Sequence, residues 1–502
     1  MDDNLFALIR RSISDESHVF LETGDGRTIT YGEMLTTSAK FAHALRQWGV
    51  KPGDRVAVQV VKSPEAVMLY LACLRFGCVY LPLNTGYTDT ELDYFFRDAE
   101  PTLIVCDTRR LANIERTGAA AGATHVTTLD ADGAGQLSQA AAALPATFDD
   151  TMRRMDDPAA ILYTSGTTGR SKGAVLTHGN LSSNAAALVH CWRFSRDDYL
   201  LHALPIFHTH GLFVAINVTL LSGATMVFLP GFDLDQVIRT LARASVMMGV
   251  PTFYTRLLSA PGFDRNLVRH MRLFVSGSAP LSAQTHKEFR ERTGHEIIER
   301  YGMTETGMIA SNPYEGERRP GAVGLPLPGV EVRISDPKTG APRPQGTVGA
   351  IEIRGPNVFK GYWRMPEKTR AEFRADGYFI SGDLGFFDAD GYLHISGRDK
   401  DLIISGGYNV YPAEVEAEVN AIKGIMESAV IGLPHPDFGE GVTAIVTLRP
   451  HCTIDEAAIR QALATRLAKY KVPKKVIVTD RLPRNAMGKV QKAVLRDRFA
   501  ST

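Results

Sequence analysis

Short apolar runs alternate along most of the chain with longer stretches of helical spacing. Arg55-Val56-Ala57-Val58-Gln59-Val60-Val61 reads as a strand, and Pro64 to Arg75 as a largely apolar helix in which Ala66, Val67, Leu69, Tyr70 and Cys73 recur at near-helical intervals. Thr28-Ile29-Thr30-Tyr31 leads into another helix. Strands and helices alternating at this pitch predict parallel sheets. From 158 to 330 the apolar runs end repeatedly in Gly, Ser, Pro or His, as in Ala203-Leu204-Pro205-Ile206-Phe207-His208, Met226-Val227-Phe228-Leu229-Pro230, Val246-Met247-Met248-Gly249-Val250-Pro251 and Leu273-Phe274-Val275-Ser276-Gly277. In open α/β sheets ligands sit beyond the carboxyl ends of the strands, so a site is expected at these ends.

Residues 322 to 395 switch to short strands joined by turns, exemplified by Gly349-Ala350-Ile351-Glu352-Ile353-Arg354-Gly355, which predicts a small antiparallel subdomain. Gly397-Arg398-Asp399-Lys400-Asp401 interrupts the pattern and marks a domain boundary near 400. Beyond it a compact mixed unit is expected: a helix over Pro412 to Asn420, strands Glu427 to Gly432 and Val442 to Leu448, and a helix starting near Thr453, where Thr453-Ile454-Asp455-Glu456 has capping-box spacing. The expected fold class is therefore α/β, with an N-terminal domain over 1–399 and a C-terminal domain over 400–502. The stretch from Ala112 to Ala146, rich in Ala, Gly and Thr, says nothing about function.

Composition narrows the function classes. The 502 residues carry 56 Lys plus Arg against 55 Asp plus Glu, so no global field recruits nucleic acid or an anionic membrane, and an anionic ligand must be met by local cations. Five cysteines without CxxC spacing argue for buried thiols in a reducing compartment and against a zinc site. The opening residues Met1-Asp2-Asp3-Asn4 fit neither a secretory signal nor a transit peptide, and no apolar run reaches membrane-spanning length. A cytoplasmic protein is expected.

The densest candidate chemistry is Tyr163-Thr164-Ser165-Gly166-Thr167-Thr168-Gly169-Arg170-Ser171-Lys172-Gly173, directly after Ala159-Ala160-Ile161-Leu162. Glycine permits close backbone approach, so successive N–H groups can face one anion while Thr164, Ser165, Thr167, Thr168 and Lys172 add donors; Gly166 and Gly169 shape the cradle. A plain surface turn is the alternative. A Walker A loop is excluded by order, because Ser171 precedes Lys172 and Gly173 follows it. Downstream come Ser276-Gly277-Ser278-Ala279-Pro280, then Tyr301-Gly302-Met303-Thr304-Glu305-Thr306, then Tyr378-Phe379-Ile380-Ser381-Gly382-Asp383 with Arg398 after it. Lys400 with Ser405-Gly406-Gly407-Tyr408, and Pro483-Arg484-Asn485-Ala486-Met487-Gly488-Lys489, complete the series. Glu305 offers the hard oxygen Mg²⁺ prefers, and Asp383 suits a pair of vicinal ribose hydroxyls. Seen singly, each stretch reads as a turn or a solvated charge.

In this order the stretches resemble the signatures of the acyl-adenylate-forming enzymes, the superfamily of acyl-CoA synthetases, peptide-synthetase adenylation domains and luciferases, over nearly the whole chain. Within it the sequence looks most like the malonyl-CoA synthetases. The resemblance implies a large domain of αβαβα-type sheets, a mobile α+β C-terminal domain, and a two-step reaction. A carboxylate attacks ATP to give acyl-AMP and pyrophosphate, and CoA then displaces AMP. It implies that the 276–280 stretch, with Ser278 and Ala279, forms the adenine wall with Tyr301 stacked against the base, that Gly302 and Met303 also bind ATP, and that Thr304 donates to the α-phosphate. Glu305 would hold Mg²⁺, and Asp383 and Arg398 the ribose or phosphates. Lys489 would stabilise the adenylation transition state, Lys400 act as hinge, and Gly406 and Gly407 line a pantetheine tunnel.

His208 matches the family's aromatic gate and could instead favour the thiol. Arg256, in Val250-Pro251-Thr252-Phe253-Tyr254-Thr255-Arg256, is the expected clamp for a second carboxylate, with His208, Thr209, Ser278 and Met308 narrowing the acyl pocket. Lys471, in a cluster with Lys469, Lys474 and Lys475, is the candidate for the CoA 3′-phosphate, although such clusters are usually solvated faces. Malonate is the expected acid, with methylmalonate tolerated. Acylation of Lys489 by a lysine acyltransferase, reversed by a deacylase, would remove its charge. The alternatives are a CoA ligase for another small acid, an adenylating enzyme that loads a carrier protein, and a nucleotide sensor without catalysis.

Overall fold

A computed structural model of the chain describes residues 4–164, 171–485 and 488–500. Two large sheets dominate. In the nine-stranded sheet the strands Val19–Thr23, Thr225–Phe228, Tyr199–His202, Val246–Gly249, Leu273–Ser276 and Ile298–Met303 run parallel side by side, with antiparallel strands at both edges. In the seven-stranded sheet Arg55–Gln59, Val79–Pro82, Leu103–Cys106, His125–Thr128 and Pro158–Thr164 are parallel, and Lys172–Thr177 returns antiparallel beside Pro158–Thr164.

One apolar cluster joins inward residues of both sheets, Val56 and Val58 from one and Leu200 and Met226 from the other, through the helix Pro64–Phe76. Every residue of that helix is buried. This is the burial expected of a helix packed on all sides rather than along one stripe. Ser63 caps its start and Gly77, at φ 80°, closes its end. Separate clusters cover the outer faces: Val237, Leu241, Tyr254 and Phe289 on one sheet, Leu92, Phe95, Phe96 and Ile114 on the other. The result is the layered αβαβα arrangement, with strand ends of both sheets converging on one side.

The small antiparallel sheet consists of Glu331–Ser335, Gly349–Arg354, Phe379–Phe387 and Leu393–Arg398. After a short turn at Asp399–Asp401 the C-terminal unit builds its own sheet and its own core around Val415, Val430, Val442 and Ile459. The helix over Pro412–Asn420 lies where the sequence places it. The next helix does not begin at Thr453. It runs Glu456–Ala464, because the Asp455 carboxylate accepts the Ala458 N–H and takes the cap itself. Among the described residues no helix is long and apolar enough to cross a membrane.

Candidate active site

The strand Pro158–Thr164 and its partner Lys172–Thr177 place Thr164 opposite Lys172. Ser165, Gly166, Thr167, Thr168 and Gly169 of the expected phosphate cradle lie outside the described residues. Lys172 is 9% exposed. Its Nζ donates to Glu372 Oε1 at 3.0 Å and stands 4.2 Å over the Tyr362 ring. The Tyr362 hydroxyl lies 2.6 Å from Glu372 Oε2 and 3.1 Å from Glu305 Oε1, and Thr164 Oγ1 lies 3.4 Å from the same Glu305 oxygen. Burial pushes the Glu305 carboxyl above its ordinary range. Burial acts the same way on Glu372, but hydrogen bonds from Lys368, Tyr362 and Lys172 outweigh it and hold that carboxyl low.

Glu305 and Thr304 sit in the turn between Ile298–Met303 and Gly307–Ser311. That turn is braced from outside. Asn184 accepts the Met308 N–H at 3.0 Å and donates to its carbonyl at 2.8 Å, and Asn357 donates to the Thr306 carbonyl at 2.8 Å. Gly302 has no room for a side chain, since a Cβ there would fall 2.3 Å from the Gly307 carbonyl oxygen.

A second group gathers on the small antiparallel sheet. Asp383 and Arg398 are register partners, joined at 2.6 Å, and the Tyr301 hydroxyl donates to Asp383 at 2.5 Å. Asp383 is 5% exposed, and its coulombic field raises the Arg398 guanidinium above its ordinary value. Ser278 carries φ 68°, a conformation rare outside glycine, and its hydroxyl approaches His210 Nδ1 at 3.4 Å.

The third group was not singled out in the sequence. Arg300 is 4% exposed, and its guanidinium lies so close against Gly277 that a Cβ there would be 2.3 Å from Arg300 Cζ. Its Nε and Nη2 have no partner among the described residues, and neither do Thr209 Oγ1, Ser276 Oγ or His210 Nε2. Burial lowers the Arg300 pKa to about 9, which leaves it a cation at neutral pH. His208 is held down to about 4 by burial, then by the charges of Arg300 and Lys489, so its imidazole is neutral. Met308 is buried at 2%.

Arg256 is exposed instead. It lies 4.6 Å over the Phe232 ring and points at the Phe232 carbonyl at 3.5 Å. It stands one helical turn from Thr252 on Pro251–Ser259, so the two share a face.

Lys489 approaches from the C-terminal domain. A Cβ on Gly488, whose φ is 73°, would lie 3.2 Å from Thr252 Oγ1, so the lysine loop docks against the start of helix Pro251–Ser259. Lys489 keeps water access within the cleft, yet protein encloses it on most sides. That burial, followed by Arg398, depresses its pKa. Gly406 and Gly407 are exposed, with positive φ, in the hairpin before Tyr408, which stacks at 4.7 Å on Tyr470 beside Lys471. Lys471 pairs with Glu414. This face holds the CoA candidates together, and the Gly406 N–H donates to the Phe438 carbonyl and Lys471 to Glu414, both within the C-terminal unit. Lys400 is exposed in the connecting turn.

Residues 10–363 match the AMP-binding enzyme family, and residues 414–489 match the AMP-binding enzyme C-terminal domain. The chain belongs to the AMP-binding enzyme family, and within it is an acyl-CoA ligase, of the acid–thiol class. It is 57% identical to the ATP-bound MatB of Rhodopseudomonas palustris, with a TM-score of 0.98 over 100% of this chain and 99% of that one. Against the apo form of the same protein, at equal identity and coverage, the TM-score is 0.89. A feruloyl-CoA synthase of Amycolatopsis sp is 37% identical over 94% of both chains. The mitochondrial malonate–CoA ligase ACSF3 of Mus musculus is 36% identical, over 93% of this chain and 86% of that one.

Proposed function

We propose that this chain is an ATP-dependent malonate–CoA ligase that proceeds through malonyl-AMP and also accepts methylmalonate. The observation that carries the reading is the buried Arg300 guanidinium, near enough to His208 and His210 for its charge to depress both, with Nε and Nη2 lacking a partner among the described residues. A buried, unpaired cation is costly, and a dicarboxylate's second carboxyl would satisfy it in bidentate fashion. Arg256, on the helix face that also bears Thr252, would meet the same carboxylate from the rim. A bulky aromatic acid such as ferulate has only the carboxylate that reacts and offers that guanidinium no second one, which favours malonate over the acid named for the feruloyl-CoA synthase.

ATP, Mg²⁺ and CoA complete the reaction. Glu305 fits Mg²⁺, with the hydroxyls of Thr164 and Thr304 as neighbouring hard oxygens; no trio of acidic, His or Cys ligands occurs among the described residues, as suits an ion that shares its shell with phosphates and water. Bound there, Mg²⁺ would supply charge neutralisation for the polyphosphate.

The chain's own residues do the rest. Lys172 meets phosphate oxygens. Asp383, held by Tyr301 and Arg398, meets the ribose, and the 276–280 segment meets adenine. Lys489 places its ammonium where negative charge grows as malonate oxygen attacks the α-phosphorus and pyrophosphate leaves. In the second step the CoA sulfur attacks the acyl carbon and AMP departs. A neutral His208 suits a gate that swings rather than an imidazolium. Rotation about Lys400 would carry Gly406 and Gly407 to the thiol path and Lys489 away, with Lys471 at the CoA phosphate. The docked Lys489 loop and the greater likeness to the ATP-bound relative than to its apo form support the orientation that serves the first step. Acylation of the Lys489 amine by an acyltransferase would stop that step, and a deacylase would restore it. A cytoplasmic setting completes the reading, supported by five unpaired cysteines.

Pyrophosphate release with Mg-ATP and CoA, measured across acetate, malonate, methylmalonate, succinate and octanoate, tests the assignment. Malonate preference in the wild type, lost in Arg300→Met and weakened in Arg256→Ala, is expected. A monocarboxylate preference would overturn the substrate and leave the ligase chemistry standing.

A further inference from the structure

Glu372 has no place in the reaction as described, yet it makes three contacts at the phosphate end of the site. Oε1 receives Lys172 Nζ at 3.0 Å and Lys368 Nζ at 2.8 Å, and Oε2 receives the Tyr362 hydroxyl at 2.6 Å. The side chains of Lys172 and Glu372 are 11% and 20% exposed, so their pairing is sheltered from solvent screening. Lys368 is more open, at 37%. A lysine with a short, sheltered bond to a carboxylate is not free to give its full charge to a phosphate.

We propose that Glu372 is a positioning residue that stands in for the polyphosphate. It holds Lys172 neutralised and aimed, and it competes with ATP and pyrophosphate for that ammonium. The physical reason is the cost of a buried, unpaired charge. With no phosphate near, Lys172 at 9% exposure needs an anion, and Glu372 supplies one. When polyphosphate enters, its oxygens take over the Nζ donors, while Lys368 and the Tyr362 hydroxyl keep Glu372 satisfied. When pyrophosphate forms, recapture of Lys172 by Glu372 weakens the product's hold and hastens its departure. Tyr362 lets the exchange occur without loss of alignment, since its ring supports the ammonium at 4.2 Å through either partner. The device exacts weaker nucleotide binding in exchange for faster product release.

The proposal rests on Lys172 being a phosphate ligand, and the experiment separates the two. Calorimetric titration of inorganic pyrophosphate and of a non-hydrolysable ATP analogue into the intact protein is compared for wild type, Lys172→Gln, Glu372→Gln and Lys368→Ala. Glu372→Gln is expected to bind pyrophosphate on the order of tenfold more tightly, and to show a lower melting temperature without ligand but a larger rise with it. A merely structural role predicts weaker binding. Lys368→Ala, which leaves Lys172 the one ammonium on Glu372 Oε1, is expected to bind pyrophosphate more weakly than wild type, and tighter binding there would count against the stand-in role. If Lys172→Gln weakens binding while Glu372→Gln leaves it unchanged or weaker, the stand-in role is overturned and the phosphate reading of Lys172 survives. If Lys172→Gln binds as wild type does, both fall. Should Glu372→Gln not fold, Glu372→Asp, with a shorter reach, is expected to tighten binding by a smaller factor, and no tightening there is equally fatal.

Discussion

Lys489 and Arg300 are both cations in a confined space, but their different exposure suits them to different partners. Arg300 is sealed against Gly277, so it suits a bound, static charge; Lys489 rides on a loop with water access and suits one that must come and go. Lys489→Ala is therefore expected to slow malonyl-AMP formation by about 10²–10³, the usual loss for one preorganised electrostatic contact, while conversion of supplied malonyl-AMP and CoA to malonyl-CoA stays near the wild-type rate. Equal loss in both half-reactions would contradict the assignment. His208, held to about 4 by burial and by the neighbouring cations, is neutral above about pH 5. The rate of thiol transfer is expected to show no inflection attributable to it between pH 6 and 8; an inflection near 6.5 that His208→Phe abolishes would return it to acid–base work.

At the scale of elements, the site depends on turns whose residues are fixed by space rather than by chemistry. Gly488 combines φ 73° with the nearby Thr252 hydroxyl, so Gly488→Ala strains the loop and pushes it off the helix Pro251–Ser259. Adenylation should fall at least tenfold with the melting temperature nearly unchanged, as the loop contributes little to either core. A normal adenylation rate would show that docking on Thr252 is incidental. Asn184 acts on the Glu305 turn from a neighbouring helix. Asn184→Ala leaves the buried Met308 N–H without its side-chain partner and its carbonyl with only the longer bond from Asn357 at 3.2 Å, at a cost of about 1–3 kcal/mol, read as a lower melting temperature together with a raised Mg²⁺ requirement.

For the whole molecule, acid stability follows from histidines deep in the large domain. Burial lowers His178 to about 4 and depresses His202 and His210 well below 6.5. Each is neutral when folded and takes up a proton near 6.5 once unfolded, so the unfolded chain binds more protons as the pH drops. Their stabilisation is complete above 6.5 and is lost as pH falls toward the folded values, at up to about 1.4 kcal/mol per pH unit for each group. Glu299, raised by burial to about 7 from 4.5, works the other way, stabilising the fold at low pH and losing that contribution as pH rises through 7. His208 adds to the depressed imidazoles and Glu305 to the raised carboxyls; with His125, His286 and His295 also lowered, the imidazoles outnumber the carboxyls, and denaturant unfolding at pH 5.0 is expected to show lower stability than at pH 7.5. Equal stability at the two values would mean that these imidazoles are charged in the fold.

What the sequence determined by itself is the part written in local patterns. Strand ends, the buried helix Pro64–Phe76, the helix Pro412–Asn420 and the order of the motifs follow from periodicity and from Gly, Ser and Thr spacing, because backbone geometry is decided within a few residues. Where the cap of the helix Glu456–Ala464 differs from the expected Thr453, the competing side chain is only two residues away. Only the tertiary structure decided who meets whom across long separations. Tyr362 reaches Glu305 from 57 residues away and Lys172 reaches Glu372 across 200, and nothing in the spacing of either pair announces it. Arg300 had one faint signal, a charged pair with Glu299 closing the apolar run Ile297-Ile298, but its burial and its unpaired donors depend on Gly277, which the parallel pairing of Leu273–Ser276 with Ile298–Met303 brings alongside. Charge pairing and burial are properties of packed surfaces, so they exist only once the sheets have closed on one another.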